Sequence, residues 1–196
     1  MYYSKGYESP LGPLTLVCDQ YKKYIVGLWM KDQKYFAQGL DKEEFVHISE
    51  ASQEVNYQID GEIDKIDKGQ NEPLKVEVLN QATMWLDRYF AGQKPAISDL
   101  PLRPQGTDFR QEVWKILMDI PYGQLTTYGN IARQLADKMG KKSMSAQAVG
   151  GAVGHNPIGI IIPCHRVVGS DGSLIGYAGG IDKKKWLLEH EGINID

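Results

Sequence analysis

Cysteine is scarce in this 196-residue chain, which has only Cys18 and Cys164. Two cysteines, one of them in a setting that needs a free thiol, argue for a reducing compartment and hence a cytoplasmic protein. No apolar run approaches the ~20 residues that span a bilayer, so no membrane partner is expected. The opening Met1-Tyr-Tyr-Ser-Lys-Gly lacks the hydrophobic stretch of a signal peptide. Clustered Cys/His ligands are missing, and with them a zinc site; no metal is expected. There is also no phosphate-cradling glycine loop and no dinucleotide fingerprint, so no cofactor is expected.

A strong positive charge is lacking too. The net charge is −3, whereas phosphate contact usually leaves a basic footprint. The deficit is uneven. Residues 1–103 carry 12 Lys+Arg against 16 Asp+Glu, and residues 104–196 carry 10 against 9. The second half is the less repelled by DNA, yet charge alone allows only weak, salt-sensitive binding.

What remains is ordinary for a globular protein, 42% hydrophobic and 24% charged. The length suits one large domain or two small ones. Leu14, Leu16 and Cys18 alternate with polar or smaller residues, and Asp19-Gln20 turns into Tyr24–Trp29, which together predict a hairpin. Cys18 reads there as a small buried hydrophobe. Residues 41–72 are acidic and aperiodic, predicting loops and a short helix. Val78, Leu79, Ala82, Leu86, Tyr89 and Phe90 fall at helical spacing between Leu74 and Phe90, with Gly92 as a stop. Pro95, Pro101 and Pro104 mark the best linker in the chain. The expected division is therefore an N-terminal domain over 1–92, a linker over 93–106 and a second domain over 107–196.

Beyond the linker the pattern is helical. Thr107 or Asp108 can cap a helix whose apolar stripe is Phe109, Val113, Ile116, Leu117 and Ile120, ended by Pro121-Tyr-Gly123. Thr126 or Thr127 can cap Tyr128–Leu135, and Ser145 can cap Ala146–Gly154. Two short helices of this kind look like a helix-turn-helix. The small residues Ala146, Ala148, Gly150, Gly151 and Ala152 let the second helix lie close either to a duplex or merely to its neighbour. The connection over 136–142 brings three lysines. A ribbon of Ile160–Val168 with Leu174–Tyr177, turned at Gly169-Ser-Asp-Gly172, would make a wing. Asp182 would cap a last helix, Lys183–His190, in which Lys183–Lys185 read as a solvated face.

The chemistry gathers around Cys164. A lone cysteine beside a histidine means little, since only the thiolate is nucleophilic. Here Pro163-Cys164-His165-Arg166 follows an apolar run, with Asn156-Pro157 upstream. Gly176-Tyr-Ala-Gly-Gly180 and Trp186-Leu-Leu-Glu-His-Glu-Gly192 lie downstream. His47, His155 and His190 have no neighbours that suggest a site.

That string resembles the O6-alkylguanine-DNA alkyltransferases, densely from Asn156 to Gly192 and more loosely back to Phe109. The resemblance implies an α/β N-terminal domain on a small antiparallel sheet, then a mainly α winged helix-turn-helix domain holding the active site. It implies single, irreversible transfer of an alkyl group from O6-alkylguanine in double-stranded DNA, and less readily from O4-alkylthymine, to Cys164 of a monomer. His165 would act through a bridging water and be polarised by Glu191, in a base-plus-orienter arrangement. Asn156 would brace the hinge, and Tyr128 would give a proton to the purine. Tyr177 would pack on the extruded base, and the backbone N–H groups of Ala178 and Gly179 would meet its O6. Arg110, Thr127, Gly129, Gln147, Gly150 and Ser170 fall at the DNA-contacting positions. The target base must leave its stack first, and Gln147 stands where the commonest form of the family places an arginine to fill the gap. Ala178 replaces a serine of some members, and Gly159 a proline or serine.

Two other classes are considered. A winged-helix module could bind alkylated DNA or regulate transcription without transfer, but non-transferring relatives replace the cysteine. A cysteine hydrolase usually draws its histidine from elsewhere in the fold, whereas His165 is adjacent.

Overall fold

In a computed structural model of the chain, the described residues are 1–41, 44–48, 58–59, 62–63 and 76–195. They form two compact units. One comprises Met1–Lys31 with Ala37–Arg103, the other Asp32–Phe36 with Pro104–Asp196.

The first unit is built on β1 (Tyr2–Ser9), β2 (Gly12–Cys18), β3 (Ile25–Met30) and β4 (Phe45–Ile48), in the spatial order β3-β2-β1-β4. The expected hairpin is present, β2 pairing antiparallel with β3. β4 runs parallel to β1, so the sheet is mixed rather than purely antiparallel. This strand lies in the span read as aperiodic loops. Most of that span, including the short helix expected there, falls outside the described residues. Two-residue strands β5 (Gln58–Ile59) and β6 (Glu62–Ile63) pair antiparallel.

All six residues of β3 are buried, although it ends the sheet. Its outer edge is satisfied by the proline-bearing stretch that follows the helix. The Ile25 N–H donates to Pro101 O at 2.9 Å, and the Arg103 N–H to Ile25 O at 2.8 Å. Gly27 is required, because a Cβ there would stand 1.9 Å from the Trp29 ring. Helix α1 (Glu77–Phe90) lays Val78, Leu79, Ala82, Trp85, Leu86 and Tyr89 into this core. Cys18, fully buried on β2, is packing, and its thiol is pushed up to about 12 by burial and then by Asp19.

The second unit is helical. In α2 (Asp108–Met118) the Thr107 hydroxyl accepts from the Arg110 N–H. In α3 (Tyr128–Lys138) Thr127 does the same for Asn130, and in α4 (Ala146–Gly154) Ser145 does so for Ala148. Each cap satisfies a donor that the first helical turn leaves unpaired. Buried Trp114 ties α2 to α4, its indole N–H donating to Ala152 O at 2.9 Å.

The wing differs from expectation. β8 (Val167–Val168) pairs in parallel with β7 (Thr126–Thr127), and residues 174–177 form no strand. Residues 158–164 instead coil through short-range bonds, Ile161 N–H to Gly159 O at 2.7 Å and Cys164 N–H to Ile162 O at 2.8 Å. Such a coil presents no ladder for a partner strand. The last helix, α5 (Ile181–His190), begins earlier than expected. Gly180, at φ +98°, takes the cap position and Asp182 lies within the first turn. No helix among the described residues is long and apolar enough to cross a membrane.

Candidate active site

Cys164 opens a single 3-10 turn, Cys164–Arg166, and its side chain is almost covered, at 7% exposure. The coil before it contains Ile160 at φ +67°. That conformation is costly for a β-branched residue and persists only where the surroundings impose it. Asn156 supplies the restraint. Its Oδ1 accepts from the Ile158 N–H at 3.1 Å, while Nδ2 donates to Ile162 O at 2.8 Å and to Cys164 Sγ at 3.1 Å. The amide therefore holds both the coil and the sulfur.

His165 is fully buried, with Nε2 2.8 Å from Glu191 Oε1. Glu191 accepts three further bonds: Arg166 Nε at 2.8 Å, Arg166 Nη2 at 2.9 Å and the Gly123 N–H at 3.0 Å. Burial pushes the Glu191 carboxyl up, but the hydrogen bonds from His165 and Arg166 and the Arg166 charge outweigh it and hold the group well below the usual carboxylate range. An ionised carboxylate only accepts, so the network assigns the His165 proton to Nε2. Burial lowers His165 from its ordinary value despite Glu191, favouring neutral imidazole. Nδ1, its basic nitrogen, has no hydrogen-bond partner among the described residues.

Burial also pushes the Cys164 thiol up, and the Asn156 bond and Lys184 charge pull down without cancelling it. The resting sulfur is thus held as a thiol rather than a standing thiolate.

Lys184 corrects the reading of a solvated lysine face. It is fully buried, and Nζ donates to Val167 O and, at 2.8 Å, to Ile175 O. Burial brings it down to about 8. Its position, three and four residues before buried Leu187 and Leu188, placed it on the apolar face of α5. Arg166 was likewise in view within the quoted motif without a role.

Tyr128 is buried at the start of α3, and its hydroxyl donates to Ile175 O at 2.9 Å. Burial and the Cys164 sulfur push this phenol up to about 12. Tyr177 is half-buried and Ala178 and Gly179 follow it in the loop before α5. Thr127 and Gly129 sit at the N-terminus of α3, exposed Gln147 and half-buried Gly150 on α4, half-buried Arg110 on α2, and exposed Ser170 in the turn after β8. Among the described residues no group of three or more His, Cys, Asp or Glu could hold a metal ion.

The histidine of the 3-10 turn that Cys164 opens thus meets a glutamate that closes the last helix. Residues 1–104 match the ribonuclease-like domain, and residues 108–193 the DNA-binding domain, of 6-O-methylguanine DNA methyltransferase. The chain belongs to that family. It is 39% identical over 184 residues to a methylated-DNA–protein-cysteine methyltransferase of Shigella flexneri, covering 94% of this chain and 92% of that one. A protein of the same name from Methanosarcina acetivorans is 35% identical over 192 residues, 98% and 99% of the two chains. The crystal structure of Mycobacterium tuberculosis OGT in complex with DNA is similar at a TM-score of 0.69 and 36% identity, covering 96% of this chain and 92% of that chain.

Proposed function

We propose that this member of the family repairs DNA by taking one alkyl group from O6-alkylguanine, and less readily O4-alkylthymine, onto Cys164 in a single turnover. The observation that carries the reading is the paired geometry of Asn156 on Cys164 Sγ and Glu191 on His165, which leaves one basic imidazole nitrogen available. The domain over residues 107–196 would carry the chemistry, acting as a cytoplasmic monomer.

In this reading α4 enters the duplex and Gln147 fills the gap left by the extruded base. The base is held by Tyr177 and by the N–H groups of Ala178 and Gly179. As Sγ attacks the alkyl carbon, an S–C bond forms, the C–O6 bond breaks and the electron pair stays on the purine. The thiol proton passes through a water to His165 Nδ1, which Glu191 stabilises as it becomes cationic. The purine takes a proton from Tyr128, whose phenolate is reprotonated from the imidazolium, so the thiol proton ends on the purine. Tyr128 must first release Ile175 O. Lys184 donates to the same oxygen, so the carbonyl stays paired when it does. The thioether has no leaving group that water could displace, which ends the reaction after one cycle.

The test is intact mass measurement after incubation with a duplex containing O6-methylguanine. A gain of one methylene, lost in Cys164→Ser, is expected. Binding without any gain would mean a recognition module, and product beyond one equivalent a hydrolase.

A further inference from the structure

Asp32–Phe36 lies outside the helical sequence, yet belongs to the unit that holds the site. Its backbone is unusual. Asp32 has φ +61° and Tyr35 φ +66°, and the second is an outlier for a bulky aromatic residue, sustained only by its surroundings. Two contacts tie it to the surroundings of the site. The Tyr35 ring stacks on His155 with centroids 3.9 Å apart and planes 19° from parallel. The Lys34 N–H donates to Ala178 O at 3.2 Å.

Both contacts end beside the chemistry. His155 is the C-cap of α4, its Nδ1 2.6 Å from Gly151 O, and Asn156 is the next residue. The Ala178 carbonyl shares one planar peptide unit with the Gly179 N–H, and in a trans peptide the two point in opposite directions. Fixing the carbonyl therefore aims the N–H. Within the loop one turn bond spans the same peptide, Gly180 N–H to Tyr177 O at 3.2 Å, and Gly176 and Gly180, at φ +70° and +98°, flank it with permissive backbone, so the Lys34 bond is the restraint that comes from outside the loop.

We propose that residues 32–36 form a strap whose Lys34 N–H orients the Gly179 N–H toward the substrate oxygen, with Tyr35 on His155 as its anchor. Lys34 and Tyr35 are positioning residues, and neither meets the base. The inference rests on the proposed function, in which Gly179 donates to O6.

Single-turnover methyl transfer from an O6-methylguanine duplex, measured over a range of protein concentrations, tests it. Lys34→Pro removes the donor and Lys34→Ala keeps it. Tyr35→Asn keeps a residue that tolerates the left-handed backbone but deletes the ring, and Tyr35→Phe keeps the stack. The saturating rate constant should fall about fivefold in Lys34→Pro and Tyr35→Asn, as expected for losing one hydrogen bond or one stacked pair. Lys34→Ala and Tyr35→Phe should match the wild type, and the half-saturating duplex concentration should change less than about twofold in all four. Equal rates throughout, a loss shared by Tyr35→Phe, or a parallel loss of duplex affinity would overturn the strap. Should Lys34→Pro fail to fold by circular dichroism, the two Tyr35 variants decide alone. A wild-type protein that transfers no methyl group would instead remove the function on which the strap depends.

Discussion

Asn156 Nδ2 lies 3.1 Å from Cys164 Sγ and 2.8 Å from the Ile162 carbonyl, so one amide touches the thiol and anchors the coil that carries it. The coil is buried and strained at Ile160, and it relies on this side chain for bonds that no ladder provides.

Asn156→Ala removes the buried bonds to Ile158 and Ile162 together with the sulfur contact. Stability should fall by about 2–3 kcal/mol, read from urea unfolding, and methyl transfer should slow at least about tenfold as the sulfur loses its fixed place. Asn156→Asp keeps the shape but brings negative charge to the sulfur. The pH midpoint for iodoacetamide labelling of Cys164 should therefore move upward. A midpoint that stays in place would show that the amide does not act on the thiol.

The buried His165–Glu191 pair sets the response to acid. Native His165 is held neutral, so below about pH 6.5 the unfolded chain binds a proton that the folded chain refuses. Glu191 is held ionised, and its contribution is present above the ordinary carboxylate range and lost as pH falls toward its depressed native value. Both signs agree. Unfolding free energy should decline from about pH 6.5 downward, more steeply below about pH 4.5. In single-turnover assays the midpoint of any loss of transfer rate on acidification should lie below the ordinary histidine value, because burial favours the neutral imidazole. A rate that halves at the ordinary histidine value would contradict a buried base.

Lys184 adds a dependence of the same sign at alkaline pH. Its native value of about 8 lies below the ordinary lysine value. Between about pH 8 and 10.4 the unfolded chain binds the extra proton, and stability gains with rising pH. Lys184→Met should abolish that gain in denaturant titrations. Below about pH 8, where Lys184 is charged, the same variant takes a positive charge from the neighbourhood of Cys164, so labelling of the thiol there should slow. An unchanged labelling profile would separate Lys184 from the sulfur.

Gln147 is exposed on α4 and carries no charge. Gln147→Arg should raise duplex affinity and repair rate, and should steepen the dependence of log affinity on log salt by about 0.9 for the added phosphate-pairing cation. Transfer from the free modified base, which needs no extrusion, should be unaffected. Unchanged duplex affinity and rate would show that Gln147 does not limit extrusion.

Much of the helical unit was legible because its signals are local. Thr107, Thr127 and Ser145 each stand just before an apolar period, and each caps the helix it announces. Gly180 displaced Asp182 as the start of α5 because a glycine at positive φ lets the loop enter the helix two residues earlier than composition suggests. The wing differs because the largely apolar stretches at 160–168 and 174–177 promise strands, while buried tight turns claim the start of the first and β7 pairs with Val167–Val168 instead. Trp114, Lys184 and Arg166 were visible as residues but not as partners.

The order of residues by itself determined where α2, α3 and α4 begin, that Cys18 is packing, and to which family the motif belongs. Those outcomes follow from caps, breakers, periodicity and short spacings, all of which act within a few residues. Only the tertiary structure decided that Glu191 would meet His165 across 26 positions and Arg166 across 25. The same holds for a buried lysine serving two carbonyls, and for a distant strained strap closing on Ala178. These contacts depend on chain closure and burial, whose energy is decided by the whole fold and leaves no periodic trace in the sequence.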